Sequence, residues 1–357
     1  MRITDVLLKI VNLILVALAF CSCGGYDRNG TETERGAKYF KLFTDNDGRR
    51  GVAVMSPFGN ASDTVIVTSP FNSIVCMSST SVAGFCAIGA ADVVTGVSGM
   101  DYISSDEILA RRDEILDVGY EPDLDYESIL RLNPDIVLAY SSGSELPAYV
   151  VKLQSLGIPV VMLYDFLEEH PLARAEYMLL YGALCGREIQ ADSLFRKVSE
   201  SYASMAESAK NVESRPGVLM NTPYSDMWYI PGADNYFSTL VEDAGGKVLG
   251  SQPGTESSVI SLEKAFGLAS EAEIWLNPGW CMTRDQIAEL HPLISEFPVL
   301  KSGKVFNNIK RTSSGGGNDF WESGSVRPDL ILKDLVGILH PELLDEPETL
   351  EYYIEVK

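Results

Sequence analysis

From Ser73 to Asp165 the chain alternates short, β-branched apolar runs with longer segments of helical pattern, and this alternation limits the fold more than any other feature. "SIVCM", "VVTGVSG", "DIVLAY" and "IPVVMLYD" read as strands, "DIVLAY" as a buried one. Between them, "SSTSVAGFCAIGA" is a helix entered through Ser and Thr caps, "YESILRLNP" a helix stopped before Pro134, and "LPAYVVKLQSLG" a helix closed by Gly157. Strand and helix in this order predict parallel βα units, with ligands met at the carboxyl ends of the strands.

The pattern recurs farther along. "LDYESILRLNPDIVL", Leu124 to Leu138, is echoed by "ISLEKAFGLASEAEIWL", Ile260 to Leu276. In each, a Glu opens a short helix, a Leu closes it, and an acidic residue precedes an apolar strand, which predicts two related sheets. Between the two regions, "REIQADSLFRKVSESYASMAESAKN" places Phe195, Val198, Tyr202, Met205 and Ala209 at steps of three and four, one face of a single helix. Running from about Glu188 to Lys210, it spans roughly 35 Å at ~1.5 Å per residue. Gly186 ends a preceding helix that begins near Pro171, a residue suited to a first helical turn. A long helix between two βα lobes predicts a cleft that bends little.

Two cysteines in "VALAFCSCGG" bear on where the protein works. Arg2 and Lys9 accompany the apolar run Ile10 to Phe20, which is too short to cross a bilayer as a helix and fits a secretory leader. Small Ser22 stands directly before Cys23, with Gly24 and Gly25 following, an order that resembles the bacterial lipoprotein lipobox; Cys21 instead follows bulky Phe20. The expected layout is a leader over 1–22, lipidation at Cys23, and a polar, glycine-rich tether over 23–37. The protein would then be extracytoplasmic and lipid-anchored, facing the periplasm or the cell surface. "KYFKLFTDNDGRRGVAVMSPF" suggests a peripheral hairpin around "DNDG", and "DTVIVTSP" the start of the body. The N-terminal lobe with its hairpin occupies 38–186, the linker helix 187–210 and the C-terminal lobe 211–357.

The formal net charge is −22, which repels nucleic acid and anionic headgroups, so an anionic ligand must meet a local basic group. Cys76, Cys86, Cys185 and Cys281 have irregular spacing and form no C-x-x-C pair. The first three lie among apolar residues and read as buried free thiols.

The order of motifs resembles the class III substrate-binding proteins of ABC importers, which take up iron–siderophore complexes, haem or vitamin B12. The matching pieces are "VSGMDYIS", "VGYEPDLDYESILRLNPDIVLAYSSGSE", "LQSLGIPVV", "YGALCGREIQADSLF", "LVEDAGGKVLG" and "RPDLILKDLVGILHPEL", together covering about residues 65 to 344. The resemblance implies an α/β fold: two βα lobes with central, mainly parallel sheets joined by a single long α-helix, holding the ligand between them as a monomer. It also implies permease subunits as partners, with an exposed acidic residue on each lobe pairing with permease arginines. Glu145 in "SSGSELP" matches the N-terminal one, and Asp285 or Glu289 in "MTRDQIAEL" the C-terminal one. It does not explain the hairpin or the acidic tail "DEPETLEYYIEVK".

An enzyme reading finds no G-x-S-x-G, no H-E-x-x-H, no P-loop and no glycine fingerprint opening a helix after a strand. A hydrolase with scattered carboxylates is one alternative, but the reading is of a protein without catalysis or a resident cofactor. "TSSGGGND" lacks the lysine of a phosphate loop and reads as a turn near the cleft. A bare zinc or manganese site is the other alternative, yet His170, His291 and His340 each precede a proline and read as element boundaries.

What remains is a flat or aromatic-rich ligand. Trp275 lies inside the strand "EIWL" and reads as core, whereas Trp280 follows that strand in "NPGW". Trp228 in "DMWYIPG" and Trp321 in "NDFWESG" occupy similar strand-to-helix segments. Tyr102, Tyr140 and Tyr164 occupy the corresponding ends of the other lobe, where resemblance to vitamin B12-binding members implies contact with the corrin. Arg311 in "NIKRTSS" is the candidate cationic contact, with Lys310 beside it suiting a siderophore or haem carboxylate.

Overall fold

The computed structural model describes residues 36–59, 63–141, 143–224, 227–344 and 349–357; the expected leader and Cys23 lie outside these residues. Phe40–Thr44 (β1), Arg50–Val54 (β2) and Asp63–Val67 (β3) form an antiparallel meander. The expected hairpin forms as β1 and β2, but "DTVIV", expected to start the body, is instead the third strand of this meander. Nor is the meander loosely attached. Phe40 sits edge-on to Tyr177 at 4.7 Å, Val52 and Val54 are buried, and Asp63 accepts a 3.2 Å hydrogen bond from the Met162 amide.

Ile74–Cys76 (β4), Val94–Val97 (β5), Leu116–Asp117 (β6), Ile136–Tyr140 (β7) and Val160–Leu163 (β8) form one parallel sheet in the order β6-β5-β4-β7-β8. β8 is buried along its whole length, and β7 along all but Tyr140, as befits strands covered on both faces. The helix Ser79–Ala87 starts where Ser78 accepts from the Ser81 amide, and Tyr126–Leu132 where Asp125 accepts from Ser128; the latter ends at left-handed Asn133.

The segment from Pro171 to Gly186 is two helices, Pro171–Ala175 and Tyr177–Cys185, joined at Glu176, with Gly186 left-handed at the end. The linker helix runs Glu188–Ala209 and buries Ala191, Phe195, Val198, Tyr202 and Ala209. These are the predicted stripe, except that Met205 is only half-buried. No helix among the described residues is long and apolar enough to cross a membrane.

The C-terminal lobe contains Gly217–Met220 (β9), Pro223–Tyr224 (β10), Met227–Ile230 (β11), Lys247–Val248 (β12), Ser258–Ile260 (β13), Ile274–Leu276 (β14), Lys304–Asn307 (β15) and Ile354–Glu355 (β16). Its main sheet has the order β12-β9-β14-β15-β16, parallel except for β16, and β10-β11-β13 form a small antiparallel sheet. The internal echo has a topological counterpart. β7 lies between β4 and β8, β14 between β9 and β15, so each echoed strand is flanked by the first strand of its parallel sheet and by the next one along. Residues 349–357 of the acidic tail are part of the fold: Asp334 accepts from the amides of Glu351 and Tyr352, both at 2.7 Å, and Tyr352, Tyr353 and Val356 are buried.

Candidate functional site

Large aromatic side chains left exposed in segments that follow the parallel strands mark a candidate binding face. Tyr102, Tyr140, Trp280 and Trp321 are 54%, 47%, 66% and 46% exposed, far more than rings of that size retain in a core. Tyr120 after β6, and Tyr224 and Met227 after β9, are exposed in the same way, as is Met282 two residues beyond Trp280. Such a concentration of apolar surface is characteristic of a binding face.

Each ring is carried by a braced loop. Asp117, ending β6, accepts from the amides of Gly99, Met100 and Gly119, all at 3.0 Å, which fixes the loop that leads to Tyr102. Gly99 is left-handed, and a β-carbon there would meet the rings of both Tyr102 and Tyr120, so these two rings flank one glycine. The Tyr149 hydroxyl donates to the Tyr140 carbonyl at 3.0 Å, holding the end of β7. In the other lobe, β9 and β14 end in left-handed Asn221 and Asn277. Asn307 at the end of β15 donates to the carbonyls of Gly279 and Cys281, both at 2.8 Å, and thereby supports the loop bearing Trp280 and Met282.

The lobes also touch along a seam. Glu322 accepts from the amides of Ser104 and Ser105, and Thr239 donates to the Glu169 carbonyl at 3.3 Å. Burial pushes the Glu322 carboxyl up to about 7 against the lowering effect of those amides. Arg174, buried and missed by the sequence reading, lies 4.3 Å above the Tyr236 ring and 3.5 Å from Asp165. A hollow of about 640 Å³ on the seam is lined by Asp101, Ser104, Asp106, Arg112, Lys310 and Arg311 and by none of the exposed rings.

Two expected ligand contacts are corrected, and a third, Arg311, already has partners. Trp228 is fully buried: as the second residue of β11 it points into the core, donates its indole N–H to the Met220 carbonyl at 2.8 Å and stacks on Phe297. Tyr164 is buried because Tyr39 and Phe58 cover it, with ring centroids at 6.4 and 6.2 Å. Arg311 is exposed but spent on two carboxylates, Asp319 at 2.8 Å and Glu351. Lys310 donates to the Leu350 carbonyl. Glu145 is exposed after β7, and Asp285 and Glu289 are exposed at the two ends of the short helix Arg284–Glu289.

The histidines stand at element ends. His170 caps Pro171–Ala175, His291 accepts from the Leu293 amide, and His340 ends the helix Pro328–Leu339 while contacting Gly245 and Glu342. Among the described residues no group of three or more His, Cys, Asp or Glu side chains is placed to hold a metal ion. Cys76, Cys86, Cys185 and Cys281 are unpaired thiols, and burial pushes Cys86 and Cys185 up to about 11.

A family model described as periplasmic binding protein matches residues 74–310, from β4 to just past β15. The chain belongs to the periplasmic binding protein family. Its two βα lobes and single linker helix are the class III architecture of that family. This binding protein is 26% identical to an uncharacterized lipoprotein of Methanocaldococcus jannaschii, over 92% of this chain and 83% of the relative. It is 22% identical to an uncharacterized ABC transporter substrate-binding lipoprotein of Bacillus subtilis, over 83% of this chain and 87% of that one. Among solved structures, a periplasmic heme binding protein from Pseudomonas aeruginosa superposes with a TM-score of 0.59 at 17% identity, covering 80% of this chain and 98% of that one.

Proposed function

We propose that this periplasmic binding protein is the lipid-anchored substrate-binding component of an ABC importer, capturing a large, flat-faced ligand between its lobes and delivering it to the permease. The ligand class is an iron complex, whether siderophore or haem, or cobalamin. The observation that carries the reading is the set of exposed rings in segments following the strands of both lobes: Tyr102 and Tyr140 on one side, Trp280 and Trp321 on the other. Rings so placed can cover two faces of one ligand without any bond being made or broken. The pairing of Arg311 with Asp319 and Glu351 removes the main argument for a strongly anionic ligand and favours a neutral corrinoid or a neutral ferric chelate. The relatives named as lipoproteins support anchoring through Cys23. Glu145, with Asp285 or Glu289, supplies the acidic docking points for the permease.

Native mass spectrometry of the protein with an equimolar mixture of cyanocobalamin, hemin and ferric siderophores tests the reading. One retained mass identifies the ligand. Retention of none, with zinc or manganese bound instead, overturns it.

A further inference from the structure

We propose that Glu322 is a positioning residue: with the turn around Gly315 and Gly317 it clasps the two lobes at one end of the cleft and sets the spacing between Tyr102 and Trp321. This deepens the aromatic-cleft reading, and only its consequence for binding rests on that reading.

The clasp joins segments directly adjoining the two rings. Glu322 follows Trp321 in the C-terminal lobe and is 2% exposed. Its two oxygens accept from the amides of Ser104 at 2.7 Å and Ser105 at 3.0 Å, which lie two and three residues beyond Tyr102 in the N-terminal lobe. Ile103, between Tyr102 and Ser104, is buried, so the tyrosine loop cannot shift without disturbing the clasp. A carboxylate withdrawn from water is held in place by such donors, because losing them leaves the charge unsolvated.

The glycine run "GGG" gains a physical explanation here. A β-carbon at Gly315 would collide with the Asp101 carbonyl, and one at Gly317 with the Tyr102 carbonyl, both backbone groups that cannot swing aside. Gly316, between them, is left-handed with φ +94°. Ser313 adds a hydrogen bond from its hydroxyl to the Asp101 carbonyl at 3.2 Å and accepts from the Gly317 amide at 2.9 Å. Backbone thus meets backbone across the lobes within two residues of a cleft ring. The linker helix and the contact of Thr239 with Glu169 form a second attachment, and two separated attachments restrict the opening that a single hinge would allow.

The test needs no ligand, so its outcome stands whether or not the binding reading does. Amide hydrogen exchange is followed at Ser104 and Ser105 in the full-length protein, and lobe spacing by electron spin resonance between labels at Lys152→Cys and Lys264→Cys. Glu322→Ala is expected to speed exchange at the two serines about tenfold or more and to broaden the label distance distribution, leaving exchange over Ile136–Tyr140 unchanged. Gly317→Ala is expected to broaden the distribution in the same way. Ser313→Ala, which leaves the glycines and Glu322 in place, serves as a gentle variant if either of the others fails to fold, with a two- to threefold effect expected. Unchanged exchange and an unchanged distance distribution in folded variants overturn the clasp. Equal acceleration across the whole N-terminal lobe, which would signal general loosening, overturns it as well.

Discussion

The indole rings of Trp228 and Trp275 lie 5.7 Å apart, and each is within 5.8 Å of the Phe297 ring, so three aromatics from β11, β14 and the start of the helix Pro298–Ser302 form the centre of the C-terminal core. Trp228→Ala removes the middle of this stack and leaves the Met220 carbonyl without its indole donor. A destabilisation of about 3–5 kcal/mol is expected from the cavity. Urea unfolding measures it. A loss below about 1 kcal/mol would return Trp228 to the list of cleft residues.

That tryptophan also marks where sequence reasoning stopped. The βα alternation was legible because each element is coded locally, by an apolar run of strand length or by caps such as Ser78 and Asp125. "DMWYIPG" reads locally as a strand-to-helix segment, but Met227–Ile230 within it is a strand whose alternation, with Met227 exposed and Trp228 buried, sends the indole inward. The surroundings of Tyr164 and Arg311 are not legible locally for another reason. What covers Tyr164 is Tyr39 and Phe58, more than a hundred residues earlier, and what occupies Arg311 includes Glu351, forty residues later. Local pattern carries no record of such partners. Tyr102, Tyr140, Trp280 and Trp321 are exposed, as their places in loops or at strand ends lead one to expect, and those places are what local pattern locates.

Glu168 gives a pH dependence of known sign. Its carboxylate is buried and accepts from the amides of Lys38 and Tyr39 at 2.9 and 3.1 Å, fastening the start of the meander, and burial raises its carboxyl to about 7. Around it, Lys38 lowers the value and Glu176 raises it. A carboxyl raised on folding contributes stability that is fully present below its unfolded value near 4.5 and is lost as pH rises through about 7. The melting temperature of the wild type should therefore fall, relative to Glu168→Gln, between pH 5 and pH 8. A difference that stays constant over that range would show that Glu168 keeps its charge throughout.

Glu145 sits exposed in the loop between β7 and the helix Ala148–Ser155, a position where charge reversal costs the fold little. Glu145→Arg should retain ligand binding while uptake falls by roughly an order of magnitude, because a like charge would now face the permease arginines. Combining it with Asp285→Arg or Glu289→Arg should lower uptake further and identify the docking acid of the second lobe. Normal uptake by the Glu145→Arg and Glu145→Arg/Asp285→Arg variants would place the docking surface elsewhere.

The proposed cleft walls are best tested at Tyr140 and Trp280, since β7 and β14 each lie beside the first strand of their parallel sheet and the two rings sit at or just beyond their carboxyl ends on opposite lobes. Both rings are about half or more exposed, and the bond that holds the end of β7 comes from the Tyr149 hydroxyl to the backbone of Tyr140, so removing either side chain leaves the scaffold intact. The melting temperature should barely move. Binding should weaken, because each ring covers apolar ligand surface at about 25 cal/mol per Å², and losing one should cost on the order of 1–3 kcal/mol, or about five- to 150-fold in Kd. Titrations of Tyr140→Ala and Trp280→Ala against the ligand retained in mass spectrometry separate the alternatives. A bare-ion site predicts loss of binding with chelator and none with ring removal, whereas catalysis predicts conversion of the ligand during the titration. If the two rings grip opposite faces of one molecule, the double variant should lose about as much as the single losses combined. A loss in only one variant would mean that the ligand rests against a single lobe.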